Sequence, residues 1–369
     1  MKDYGKNTIK AFFALLQAGL WEKEVRLAVD GDVDYTAVYR LAGEQSVVGL
    51  IAAGLEHVVD VKIPQDLALN IAGEVLQIEQ RNRAMNGFIA LLVNQLRDNG
   101  IETLLVKGQG IAQCYERPLW RACGDVDLFL DDDNYGKAKA FLSAKGENIE
   151  ESPHDILHTE MVIDAWSVEL HGSLRTQLGQ CIDRVVDHVQ VDTFRNRRIR
   201  TWKNDTVDVI LPCPDNDVIF VFTHYLQHFF IGGCGFRQIC DWCRLLWTYR
   251  DSLNHKLLES RLYEAGLMSE WKAFGALAKI YLGMPEDAIP LYSSAKKWHR
   301  KADKILHSIL LMGNMGHNRD MSYRQTESGV LRKLKTFCVI TKDACRLAAI
   351  FPMDSVRVWW RLNMRELNK

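Results

Sequence analysis

LLVKGQGIAQCYERPLWRACGDVDLFL, residues 104–130, is the stretch from which the fold is read. IETLLV (101–106) is a short apolar run with the length of a buried strand. KGQG (107–110) is a glycine-containing turn, and IAQCYE (111–116) reads as a brief helix that ends near Pro118. Gly124 marks a second turn, and DVDLFL (125–130) reads as another strand. Upstream, Met85, Phe88, Ile89, Leu92 and Leu96 recur at three- and four-residue steps, so a helix runs into the stop signal Asn99-Gly100. Downstream, residues 131–134 offer N-caps for a helix over Tyr135, Ala138, Phe141 and Leu142, stopped at Gly146. HTEMVI (158–163) and SVELH (167–171) read as a hairpin, and strands near 198–202 and 207–211 follow. The pattern predicts an α+β unit, a small mixed sheet with helices.

The flanks are helical. Residues 1–75 form an expected N-terminal helical region, 76–212 the core, and 213–369 a C-terminal helical domain. After Pro214, the run DND caps a helix carrying Val218, Val221, Phe222, Tyr225, Leu226 and Phe229 on one face. A second helix after Gly235 presents Phe236, Ile239, Cys240, Cys243 and Trp247.

Composition narrows the function. The net charge of the 369 residues is -1, so the chain lacks the basic excess of a dedicated nucleic-acid binder. Nine cysteines, an odd number without dense spacing, suggest free thiols in a reducing cytoplasm. AFFALLQAGLW (11–21) is broken by Gln17 and reads as a core helix, neither signal peptide nor span. VRVWWRLNMREL (356–367) reads as an amphipathic helix docked on the helical domain, with no membrane partner expected.

The chemistry centres on two strands. Residues i and i+2 of a strand share a face, so Asp125 and Asp127 project together. Side by side they repel unless a cation lies between them, and oxygen donors suit Mg²⁺ (or Mn²⁺). In SVELH, Glu169 and His171 share a face. Pairing that strand with the first brings in a third carboxylate, enough to hold two Mg²⁺ ions for in-line phosphoryl or nucleotidyl displacement. The plain alternative makes Asp125 a turn residue and Asp127 an exposed strand residue, with Lys107-Gly108 an ordinary turn.

Taken with Lys107-Gly108, Arg121, Gly124-Asp125-Val126-Asp127, Glu169-Leu170-His171 and Arg237 with Asp241, this stretch resembles the nucleotidyltransferases of the DNA polymerase beta superfamily. Within them it is similar to the bacterial group of uncharacterised nucleotidyltransferases. Two features depart from the wider superfamily: Lys107-Gly108 replaces the usual Gly-Ser, and the third acid is Glu169 rather than Asp. The resemblance implies transfer of an NMP group from an NTP to a hydroxyl or phosphate acceptor. Asp125, Asp127 and Glu169 would be catalytic and metal-binding, with Glu169 also helping to deprotonate the acceptor. Lys107, Gly108, Arg121 and Gly124 would bind the nucleotide, and His171 would position Glu169 or substrate. Two alternatives stand beside it, an Asp-x-Asp glycosyltransferase and a catalytically silent nucleotide-binding or protein-interaction module. The first is disfavoured because Asp125 precedes its apolar run.

Three other features have plainer readings. Cys240 and Cys243, with Cys234, His224 and His228 nearby, suggest zinc but fall on an apolar helix face, where thiols pack as small hydrophobes. Arg237 and Asp241, one turn apart, are spaced to pair at the surface, while the resemblance implies that they face the core domain. RNRRIRTWKN (195–204) reads as the wet face of an edge strand.

Overall fold

A computed structural model describes residues 4–28, 31–152, 157–318 and 329–367. The chain opens with α1 (Lys6–Trp21), α2 (Tyr35–Glu44) and α3 (Val48–Glu56). Asp34 caps α2 by accepting a hydrogen bond from the Ala37 N–H at 2.9 Å. α1 and α3 touch backbone to backbone: a Cβ on Gly54 would fall 2.0 Å from the Leu15 carbonyl oxygen, so only glycine fits. α4 (Gln65–Asp98) is 34 residues long and continues unbroken through residue 75, where the sequence suggested a boundary. Asn99 caps its C-terminus, and Gly100 follows at φ +69°.

The middle of the chain alternates: β1 (Leu104–Val106), α5 (Gly108–Ala112), β2 (Asp125–Phe129), α6 (Asp132–Ser143), β3 (Glu147–Glu151), β4 (His158–Ile163), β5 (Trp166–His171), α7 (Gln180–Phe194), β6 (Ile199–Asn204) and β7 (Val207–Pro212). Five strands form one sheet in the order β1-β2-β5-β4-β3. Within this sheet, among the described residues, only the β2–β5 pair is parallel. β6 and β7 form a separate two-stranded ribbon. This mixed helix and sheet architecture agrees with the α+β expectation. β3 and α7 are elements that the periodicity did not reveal.

Strand alternation gives the sheet two faces. Val126, Leu128, Val168 and Leu170 point back, into a core closed by Met85, Ile89 and Leu92 of α4 and Ala138 and Leu142 of α6. Asp125, Asp127 and Phe129 occupy the opposite face of β2, and Phe129 joins a second core built largely by the C-terminal helices. These are α8 (Pro214–Ile231), α9 (Phe236–Tyr249), α10 (His255–Ala265), α11 (Met268–Leu282), α12 (Lys296–Met312), α13 (Gly329–Ala348) and α14 (Pro352–Leu367). Aromatic rings fill that core, with Phe222 and Trp242 each about one ring width from Trp271 (4.8 and 4.9 Å between centroids). Phe13 of α1 meets Phe236 of α9 at 5.1 Å, so the N- and C-terminal helices share it. Cys240 and Cys243 lie fully buried within it, and burial pushes both thiols up, as hydrophobic packing requires. None of the described helices is long and apolar enough to cross a membrane.

A buried ion pair ties the turn before β2 to this helical body. Arg121 donates from Nε and Nη2 to the two oxygens of Asp241, at 2.8 and 2.6 Å. Tyr115 donates to the same carboxylate at 2.7 Å. Asp241 and Arg237 thus face the core region, as the resemblance implied, and the local pairing that their spacing allows gives way to a bidentate guanidinium from outside the helix, which matches a carboxylate better. Asp241→Leu would strand a buried guanidinium and should cost about 3–5 kcal/mol in urea unfolding. Arg121→Met with Asp241→Leu should recover most of that loss. An equal loss in the double variant would mean that shape, not charge, is what matters there.

Candidate active site: a carboxylate and histidine cluster under the helical roof

Strand register assembles the site. Parallel pairing sets Asp127 beside Glu169, Asp125 beside Ser167 and Phe129 beside His171. Antiparallel pairing sets His158 across from His171. Val106, the last residue of β1, lies across from Asp127, so the next residue, Lys107, turns over the same spot. The Lys107 ammonium meets Asp127 Oδ1 at 2.5 Å, with the lysine side chain 17% exposed and the aspartate 3%. His171 Nε2 lies 2.8 Å from Asp127 Oδ1 and 3.2 Å from Glu169 Oε2. His158 Nε2 lies 3.3 Å from that same glutamate oxygen, and its Nδ1 faces Ser152 Oγ at 3.1 Å.

The electrostatics follow from crowding. The carboxyl of Asp125 is pushed up, first by repulsion from Asp127 and then by burial. Burial also pushes Glu169 up, but His158 and His171 outweigh it and hold the carboxyl far below the usual range. Burial pulls the Lys107 ammonium down, yet Asp127 and Glu169 keep it above its ordinary value. Lys107 carries a backbone cost as well, at φ 56° and ψ -146°, a region L-residues rarely enter. Such conformers cost on the order of 1–3 kcal/mol and mark functional sites. Gly108 follows at φ +41°, close against Asp125 and Cys123.

α8 and α9 roof the cluster. On one side of Lys107 lies a cavity of about 350 Å³ whose walls include His158, Glu169, His171 and Arg175. On the other lies a smaller one, about 70 Å³, with Asp125, Asp127, Arg121 and Arg237 in its walls. Lys107, His224 and His228 wall both. The two α8 imidazoles meet Nε2 to Nε2 at 3.1 Å. Burial and then the Lys107 charge hold both neutral, His228 down to about 4.

The expected site residues separate into groups. Asp125, Asp127, Glu169, His171 and Lys107 come together. Gly108 closes the turn beside them as the first residue of α5, which is five residues long and offers little helix dipole. Gly124 is exposed, and a Cβ there would meet nothing within 4 Å. Arg121 reaches the small cavity's wall with its guanidinium committed to Asp241. Arg237 is the freer guanidinium: it donates from Nη1 to the Ala122 carbonyl at 3.2 Å, and its buried Nε has no hydrogen-bond partner among the described residues. Of the basic run, Arg197, Arg198, Arg200 and Lys203 each pair with a carboxylate, from Glu102 to Asp217. His158 was not singled out by sequence reading. Its signal was the hairpin itself, because pairing HTEMVI with SVELH from their outer ends sets one histidine opposite the other.

The roof makes stability pH-dependent. His228 is neutral in the fold, whereas the unfolded chain protonates it near ~6.5. Below that pH the unfolded state binds more protons, so stability falls as pH drops toward about 4, the folded value. His171, raised by Asp127 and Glu169 against burial and Lys107, acts in the opposite sense, its contribution fading as pH rises through its folded value. His228→Gln should therefore flatten the acid side of the stability profile by up to about 3 kcal/mol. Thermal melts between pH 7 and 4.5 read this directly, and an unchanged slope would place His228 in a polar, readily protonated setting.

No curated protein and no solved structure matches this chain. A family model with the description uncharacterised nucleotidyltransferase matches residues 31–283. That span holds the sheet, the carboxylate and histidine cluster, and the α8–α9 roof. It covers more than half of the chain, which therefore belongs to this family of uncharacterised nucleotidyltransferases.

Proposed function

We propose that the chain is a Mg²⁺-dependent nucleotidyltransferase of the polymerase beta type, moving an NMP group from an NTP to a hydroxyl or phosphate acceptor. One observation carries this reading: Asp125, Asp127 and Glu169 stand on one face of two parallel neighbouring strands, with the Lys107 ammonium against Asp127. The donor set fits Mg²⁺, being rich in carboxylate oxygen, and the raised Asp125 reports repulsion that a cation would relieve. Mn²⁺ fits the same oxygens.

Bound there, Mg²⁺ would polarise the α-phosphate and stabilise the departing pyrophosphate. Asp125 and Asp127 would hold the ions, and Glu169 would complete the set. His171, hydrogen-bonded to both Asp127 and Glu169, fixes the two carboxylates relative to each other. Lys107, now against Asp127, would offer its ammonium to the β- or γ-phosphate. The Gly108 backbone and Arg237 add donors on the small-cavity side, where Arg121 serves by anchoring the turn ahead of Asp125. The acceptor oxygen attacks the α-phosphorus as the bond to the β-phosphate oxygen breaks.

Calorimetric titration with each of the four NTPs tests the metal requirement. Affinity should depend on Mg²⁺ or Mn²⁺ and collapse in Asp125→Ala and Asp127→Asn. Equal affinity in chelator, or in the variants, would sink the reading. Lys107→Ala should lose roughly 1–3 kcal/mol of NTP affinity, the scale of a charge-assisted contact. Lys107→Arg should recover only part, since a planar fork does not replace a compact ammonium in a tight turn. Wild-type NTP affinity in folded Lys107→Ala would remove Lys107 from the nucleotide's path.

A further inference from the structure

We propose that His158, Glu169 and His171 form a second kind of metal site, one that takes a nitrogen-tolerant divalent ion such as Zn²⁺, Mn²⁺ or Fe²⁺ in preference to Mg²⁺. It goes beyond nucleotidyl transfer, sharing Glu169 and His171 with the site of that reading, and is argued from geometry. Their ligand atoms all lie within 4.8 Å of one another. The imidazole nitrogens stand 3.3 and 3.2 Å from Glu169 Oε2. Ligands bound to one ion at about 2.1 Å, and roughly 100° apart, stand about 3.2 Å from each other. Each imidazole nitrogen therefore already stands at coordination-shell spacing from the glutamate oxygen, and a small closing of the two rings would complete the shell.

Three further observations point the same way. Ser152 Oγ engages His158 Nδ1, leaving Nε2 to face Glu169. An outer hydrogen bond of this kind is what fixes the tautomer and angle of metal-bound imidazoles. The three residues come from two strands paired in register, so a rigid sheet holds them. The large cavity opens on all three, which leaves coordination positions free for water or substrate. Two imidazoles and one carboxylate with an open face is a donor set for transition metals. Mg²⁺ demands near-octahedral oxygen and fits it poorly. Glu169 is shared with the oxygen site of Asp125 and Asp127, and an ion on His171 Nε2 would replace the 2.8 Å hydrogen bond of that nitrogen to Asp127.

Co²⁺ is the probe, because its visible absorption reports nitrogen ligation. The full chain, stripped with chelator and free of nucleotide, is titrated with Co²⁺ in excess Mg²⁺. The proposal expects one equivalent with visible bands that Mg²⁺ does not remove and Zn²⁺ does. His158→Gln and Glu169→Gln should each weaken Co²⁺ at least tenfold with unchanged circular dichroism. If either variant fails to fold, Ser152→Ala, which touches only the outer hydrogen bond, should still weaken Co²⁺ about tenfold. Asp125→Asn should keep the Co²⁺ bands while losing Mg²⁺-dependent NTP binding, so this site and the nucleotidyltransferase reading fail separately. Absence of bands in the wild-type chain, or Co²⁺ affinity unchanged in the folded variants, would overturn the proposal.

Discussion

Like charges cannot be set side by side in a half-buried place without something positive between them, and the centre of this molecule is arranged around that constraint. β2 turns Asp125 and Asp127 to one face, and parallel pairing adds Glu169 in register with Asp127. Lys107, His171 and His158 supply the compensating groups, each within 3.3 Å of a carboxylate oxygen. Two of them come from the sheet that carries the acids. The third, Lys107, reaches Asp127 through a backbone conformation that costs energy. Strain of that kind persists when the surroundings over-determine it, and the β1–β2 pairing on one side and the helical roof on the other do so here.

The helical mass makes the constraint effective. Without α8 the front face of the sheet would be wet, and water would screen the repulsion. With it, His224 and His228 stay neutral against Lys107, and the cluster sits in a setting where each charge counts for more. The Arg121–Asp241 pair holds the turn before β2 to α9 and so fixes where Asp125 begins. Packing and electrostatics therefore share the task of positioning. The back core of Val126, Leu128, Val168 and Leu170 sets the strands, and the ion pairs set the front.

Much of this was legible in the sequence, for one reason. Period-two alternation in DVDLFL and SVELH places acids on one side and apolar residues on the other, and no tertiary information is needed to see it. The helices up to Gly100 and after Pro214 were legible from period and caps. β3 was not, because ENIEE has a single apolar side chain and lies wholly exposed at the sheet's edge. α7 lacked a clear start, its N-cap glycine making no side-chain bond. Arg121 and Asp241 are 120 residues apart, and nothing local announces a pair of that separation. Spacing pointed to Arg237 instead, which the structure turns toward the Ala122 carbonyl and the small cavity. His158 was hidden because a lone histidine at a strand start is unremarkable until its partner strand is known.

The central claim is that the carboxylates act on the α-phosphate of a nucleotide. Its most direct measurement follows a label placed on the α-phosphate, in parallel with one on the γ-phosphate, during incubation of the full chain with Mg²⁺ and a cell extract that supplies acceptors. The account predicts that the α-label becomes covalently attached to an acceptor while pyrophosphate is released in equal amount. Attachment of the γ-label instead, or an α-label that stays on intact NTP bound to the wild-type protein, would contradict it.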